Sequence, residues 1–67
     1  MRDIRVIFGK RIKQIRLKHG LSQEELADIS GLHRTYISNI GNGDRNVSIK
    51  NVEKLAKALN IKIKDLF

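Results

Sequence analysis

The stretch "LSQEELADISGLHRTYISNI", Leu21 to Ile40, divides at Gly31 into two segments, each too short to be stable as an isolated helix. Ser22 and Glu25 have the spacing of a capping box, in which the Ser22 hydroxyl accepts from the Glu25 amide and the Glu25 carboxylate reaches back to the Ser22 amide. A helix is therefore predicted from Gln23 to Ser30, ended by the left-handed turn that Gly31 supplies. A third helix, over about residues 34–41, follows "GLH". Its Ile37 and Ile40 share one face, Thr35, Ser38 and Asn39 face the other way, and Arg34 and Tyr36 flank them.

The remaining sequence also reads as short helices. At about 100° per residue, Ile4, Phe8, Ile12 and Ile15 fall in one narrow arc, with Gly20 as a stop. This first helix begins somewhere from Asp3 to Val6, because the β-branched run "IRVIF" also suits a short extended arm. After the break at "GNGDRN", Ser48 serves as N-cap for a fourth helix with Ile49, Val52, Leu55, Ala56 and Leu59 on one stripe. Asn60 suits its C-terminal cap, and "IKIKDLF" adds a last turn whose Ile61, Ile63, Leu66 and Phe67 can close the core. The expected fold is all-α, a compact bundle of five helices.

Sixty-seven residues read as a single domain, residues 1–67, with no room for a lobed catalytic cleft. The chain has no cysteine, so disulfides and thiolate metal sites are excluded and a reducing compartment, the cytoplasm, is expected. No apolar run is long enough to span a membrane, and the start "MRDIRVIFGKR" lacks the features of a signal peptide. Fourteen Lys and Arg against seven Asp and Glu give a net charge of +7, the footprint of a nucleic-acid binder.

Two short helices joined at Gly31, the second with a polar outer face in a basic domain, have the layout of a helix-turn-helix. A helix fits the major groove of B-DNA, and Arg34, Thr35, Ser38 and Asn39 carry the donors and acceptors that read base edges there. Polar outer residues are otherwise solvated filler. Filler would be Lys and Glu, as on the fourth helix, and this cluster of Arg, Thr, Tyr, Ser and Asn is different. Gln23 sits at a helix N-terminus, where free amides favour an anion, though simple solvation also accounts for it. The loop carrying Asn42, Arg45 and Asn46 passes near a phosphate strand if the third helix occupies the groove, and is merely a turn if it does not.

From Phe8 to Phe67 the chain resembles the Cro and lambda-repressor type (XRE) helix-turn-helix family, most specifically through "LSQEELA" at 21–27. "RTYIS" together with "RNVSI" is similar to the controller proteins of restriction-modification systems. The resemblance implies a homodimeric transcription regulator on a near-palindromic operator of double-stranded DNA, with Gln23, Tyr36, Asn42, Arg45 and Asn46 meeting phosphates. Dimerisation is expected through Ile61, Ile63, Leu66 and Phe67, unless these are ordinary core residues. The chain departs from the family where Gly41 replaces a glutamate that, in resembling domains, pairs with an arginine matching Arg16. Arg16 is thereby expected to lack its partner. If residue 41 is helical, glycine weakens the helix there; if the helix stops at Ile40, Gly41 is a cap at positive φ.

Enzymatic chemistry finds no support. His19, on the apolar face of the first helix, and His33, at a cap position, read as structural. Glu24, Glu25 and Asp28 read as helix-dipole chemistry on a solvated face rather than as a metal site, and Gly41-Asn42-Gly43 as a turn rather than a phosphate loop. No metal, cofactor or small-molecule ligand is expected. Two other classes compete: an antitoxin-like module whose main partner is a protein, against which the lack of a tail beyond Phe67 weighs, and a membrane-surface peptide built on the basic first helix. The apolar arc of that helix is better used as core.

Overall fold

A computed structural model describes residues 3–67. Four α-helices follow in order, α1 (Ile4–Lys18), α2 (Gln23–Ser30), α3 (Arg34–Gly41) and α4 (Ile49–Ala58), before a 3-10 turn at Ile63–Leu66. The expected fifth helix is thus a single tight turn. The described residues contain no strand, and the extended start weighed for "IRVIF" gives way to helix from Ile4 onward. Asp3 explains this: its carboxylate accepts from the Arg5 amide at 2.9 Å and so caps α1.

Each of the other helix starts is also fixed by a side chain. Ser22 Oγ accepts from the Glu25 amide at 3.0 Å and Glu25 Oε1 accepts from the Ser22 amide at 2.9 Å, completing the predicted box. His33 Nδ1 accepts from the Thr35 amide at 3.1 Å, and Ser48 Oγ from the Asn51 amide at 3.2 Å. Three ends share one device. Beyond α1, α3 and α4, the residues Gly20, Gly43 and Asn60 adopt positive φ, and the amide that follows each bonds back to Arg16, Asn39 and Ala56 respectively. Gly41 is not among them; it is helical, the last residue of α3.

The core comprises Phe8, Ile12 and Ile15 of α1, Leu26 and Ala27 of α2, Ile37 and Ile40 of α3, Val52, Leu55 and Ala56 of α4, with Leu59 and Leu66. Helix α3 packs on both α1 and α2, and α2 also packs on α4. The α1–α3 contact is backbone to backbone. A Cβ added at Gly9 would overlap the Ile40 carbonyl oxygen, so only glycine permits this approach.

Three expectations about residues on apolar faces need correction. Ile4 is 59% exposed and Ile49 85% exposed, although each lies on its helix's apolar arc. Periodicity fixes a direction around a helix, but not whether a neighbour extends far enough to cover it; both residues rim a groove beside Phe8 and Phe67. His19 is exposed and caps α1, its Nδ1 lying 2.9 Å from the Ile15 carbonyl. Arg16 pairs with no acid among the described residues, in line with the missing glutamate at 41; its Nη1 donates instead to the Leu21 carbonyl at 2.7 Å.

Candidate nucleic-acid interface

The outer face of α3 begins where His33 caps the helix, which fixes the directions of Arg34 and Thr35. Both are exposed, whereas Ser38 and Asn39, further along the same helix, are half-buried. These four side chains surround the side of α3 opposite Ile37 and Ile40, which are sealed in the core. The four proposed readers therefore stand on a helix held rigidly from behind.

Arg34 is not free. Its Nη1 donates to Glu24 Oε1 of α2 at 2.7 Å, across the turn at Gly31, while both side chains remain largely exposed. Tyr36 is half-buried and engaged twice. Its hydroxyl accepts from Asn51 Nδ2 of α4 at 3.0 Å, and the Arg45 guanidinium lies over its ring at 4.9 Å from the centroid. Asn51 thus leaves the Tyr36 proton available to an acceptor outside, such as a phosphate oxygen.

Gln23 and Asn42, from the start of α2 and the end of α3, border a common cavity of about 30 Å³ with Lys13, Arg16 and Gly41. Asn42, Arg45 and Asn46 are exposed along the loop that follows α3. The structure thereby brings the phosphate candidates into two sets, Gln23 with Asn42 and Tyr36 with Arg45. Hydrogen bonding from the Ser22 amide lowers the Glu25 pKa, and the Arg5 guanidinium bonded to Asp3 lowers that carboxyl in the same sense.

The residues expected at a dimer interface separate. Leu66 is completely buried within its own chain, and Ile61 is half-buried, whereas Ile63 and Phe67 are 43% and 62% exposed. Phe67 stacks on Phe8 with ring centroids 5.3 Å apart. Asn51, which bonds Tyr36, was not marked by the sequence, and Glu24 was read only as a solvated first-turn acid rather than as the partner of Arg34: both contacts lie across a turn or on another helix, where no periodic pattern points. No group of three or more His, Asp or Glu among the described residues is arranged to hold a metal ion, and no described helix is long and apolar enough to cross a membrane.

Two short helices meeting at Gly31, the second anchored by two isoleucines and polar on its outer side, define a helix-turn-helix protein. The HTH_3 helix-turn-helix family model matches residues 12–66, and the chain belongs to that family. Control protein C.BamHI of Bacillus amyloliquefaciens is 55% identical over 65 residues, spanning 96% of this chain and 80% of its own length. The crystal structure of the restriction-modification controller protein C.AhdI from Aeromonas hydrophila superposes with a TM-score of 0.92 at 49% identity, covering 94% of this chain and 96% of the other. The structure of SinR, a master regulator for biofilm formation, in complex with DNA gives a TM-score of 0.84 at 37% identity, covering 88% and 95%. Fold and family together make this a DNA-binding transcriptional regulator, not an enzyme.

Proposed function

We propose that this regulator acts in the cytoplasm as a homodimer on a near-palindromic operator, with residues 1–67 as one DNA-binding domain and α3 in the major groove. The observation that carries the proposal is the outer face of α3, which presents Arg34, Thr35, Ser38 and Asn39 as candidates to read base edges, with Gln23 and Asn42 on a shared cavity and Tyr36 under Arg45 as candidates for phosphates. Gln23 with Asn42 clamps one backbone position, and Tyr36, Arg45 and Asn46 another. The likeness to C.BamHI and C.AhdI supports a role as the controller of a restriction-modification system.

Exposed apolar surface supports the dimer. Phe67, Ile4 and Ile49 border one groove and Ile63 is also exposed, apolar surface that a partner copy can cover, while Leu66 lies within the core. Ile61, half-buried, is less available. Two recognition helices related by a two-fold axis then meet major grooves one helical turn, about 34 Å, apart. Enrichment of bound sites from a random duplex library tests the proposal. Inverted half-sites centred about 10 bp apart are expected. Recovery of sites without two-fold symmetry would defeat it.

A further inference from the structure

We infer that the groove between α1 and the last turn is a docking surface for an acidic amphipathic helix of another protein, engaged while the regulator sits on DNA. The groove has a volume of about 540 Å³ and combines apolar walls with basic ones. Val6, Ile7 and Phe67 line it and are 40%, 37% and 62% exposed, so apolar surface stands open to solvent along its length. Lys10, Arg11 and Gln14 line it too, and all three are exposed. From Ile7 to Gln14 the wall formed by α1 runs for about two turns, roughly 10 Å, which matches a short helix laid alongside it.

Charge decides the chemistry of the occupant. Asp3, at one end of the groove, is already paired, its Oδ2 accepting from Arg5 Nη2 at 2.6 Å. Lys10 and Arg11 take part in no ion pair among the described residues. Arg11 is drawn toward the last turn by its Nε, which donates to the Asp65 carbonyl at 2.9 Å, and both of its terminal nitrogens are left without a bond among the described residues. Carboxylates beside an apolar stripe complement both parts of such a groove. A second copy of the chain does not: a two-fold contact here would set Lys10 and Arg11 close to their own copies in a chain of net charge +7. The groove bordered by Ile4 and Ile49 is the one proposed for the dimer, and Phe67 is the ridge between the two.

DNA does not account for these two cations either. Gly9 is the residue of α1 whose backbone meets α3, and at about 100° per residue Ile7, Lys10, Arg11 and Gln14 all lie at least about 100° round the helix from it. The basic residues on the α3 side are Lys13 and Arg16, which border the cavity shared with Gln23 and Asn42. Helix α1 thus divides its charge between two faces. The groove lies on the face turned away from α3, so an occupant and an operator can be held together. Joint occupancy rests on the placement of α3 in the major groove; binding of the acidic helix to the free chain does not.

The probe is a synthetic peptide of about 18 residues with leucines at i, i+3, i+4 and i+7 and glutamates flanking that stripe, titrated by fluorescence anisotropy into the full chain, free and on the selected operator. Saturable binding is expected. Lys10→Gln should weaken it about two- to fivefold, the range of an exposed ion pair, and Ile7→Asn by about tenfold, while Lys54→Gln, the same change of charge on the outer side of α4, should leave it alone. Lys10→Glu should come to prefer a peptide with lysines in place of the glutamates, which keeps the test sound if Ile7→Asn lowers the melting midpoint. The operator complex should bind the peptide within about twofold of the free chain. Equal weakening by Lys10→Gln and Lys54→Gln would reduce the binding to diffuse charge and overturn the site. Loss of the dimer in Ile7→Asn with peptide binding intact would assign the groove to a second copy, and capture by phosphatidylglycerol vesicles without peptide binding would assign it to a membrane; either overturns the inference. Displacement of the peptide by the operator would overturn joint occupancy. Failure to recover two-fold sites from the random library, with peptide binding unchanged, would defeat the proposed dimeric operator complex and leave the docking surface standing.

Discussion

Replacing Gly41 probes a position where the resemblance leads one to expect glutamate. Gly41 closes α3 in helical conformation, and a Cβ there meets nothing within 4 Å. Glycine costs a helix interior about 1 kcal/mol relative to alanine, and the last helical position realises about half of that, roughly 0.5 kcal/mol. For a domain this small, Gly41→Ala should therefore raise the melting midpoint by about 2–4 °C. Gly41→Glu adds two opposing effects. A carboxylate at the end of α3 opposes the helix dipole by about 0.3 kcal/mol, while pairing with Arg16 across the shared cavity contributes about 0.5–1 kcal/mol for a partly exposed pair. Glutamate should thus melt slightly above alanine. Arg16 already donates to the Leu21 carbonyl, so the pair forms only if its other nitrogens reach residue 41. Calorimetric melts of Gly41→Ala and Gly41→Glu, each in the parent and in an Arg16→Met background, isolate that pair. The increment of glutamate over alanine should vanish with Arg16. A Gly41→Ala midpoint below the parent would refute the helical assignment of residue 41, and an increment that survives Arg16→Met would refute the pair.

Gly9→Ala should force α1 away from the Ile40 carbonyl and cost about 1–3 kcal/mol or more, a fall of at least about 4 °C in the midpoint; an unchanged melt would mean the helices part freely. Acid should weaken the fold through Glu25. Its pKa is lowered in the folded state, so its contribution is complete above the ordinary carboxylate range and is lost as pH falls through the folded value; Glu25→Gln, which still accepts from the Ser22 amide, should flatten the acid limb of a midpoint-against-pH curve. Duplex binding should lose roughly three to five orders of magnitude between about 50 and 200 mM salt if the dimer touches six to ten phosphates, and a flat titration would remove the phosphate sets. Ile63→Asp and Ile49→Asp should yield monomers by sedimentation with little change in unimolecular stability, since both side chains are exposed; dimers that persist in both variants would move the interface elsewhere.

Features that depend on neighbours within a turn were readable in the sequence. The Ser22–Glu25 box, the Ser48 cap and the left-handed Gly31 each act through atoms three or four residues away, so residue type and spacing suffice to specify them. The polar outer face of α3 was legible for the same reason, because Ile37 and Ile40 determine which side turns inward. Other features depend on contacts made through the fold. Nothing within α1 marks Gly9, whose role comes from α3 folding back over it, and Glu24 reads as a solvated acid until Arg34 meets it from across the turn. Leu66 shows the ambiguity of a short apolar tail: its type fits a partner surface as well as a core, and only the packing of the last turn decides for the core.

The meeting of Gly9 with the Ile40 carbonyl has a consequence for how such a protein can change its target. The depth of α3 is set by one backbone against another, a stop with no side chain to compress or trim. Thr35, Ser38 and Asn39 contribute nothing to that stop, so exchanging them alters what a groove encounters while the helix keeps the same seat. On the proposed placement of α3 in the major groove, a library diversified at those three positions, with Gly9, Ile37 and Ile40 held constant, is expected to keep one α1–α3 seat and to differ in the bases accepted.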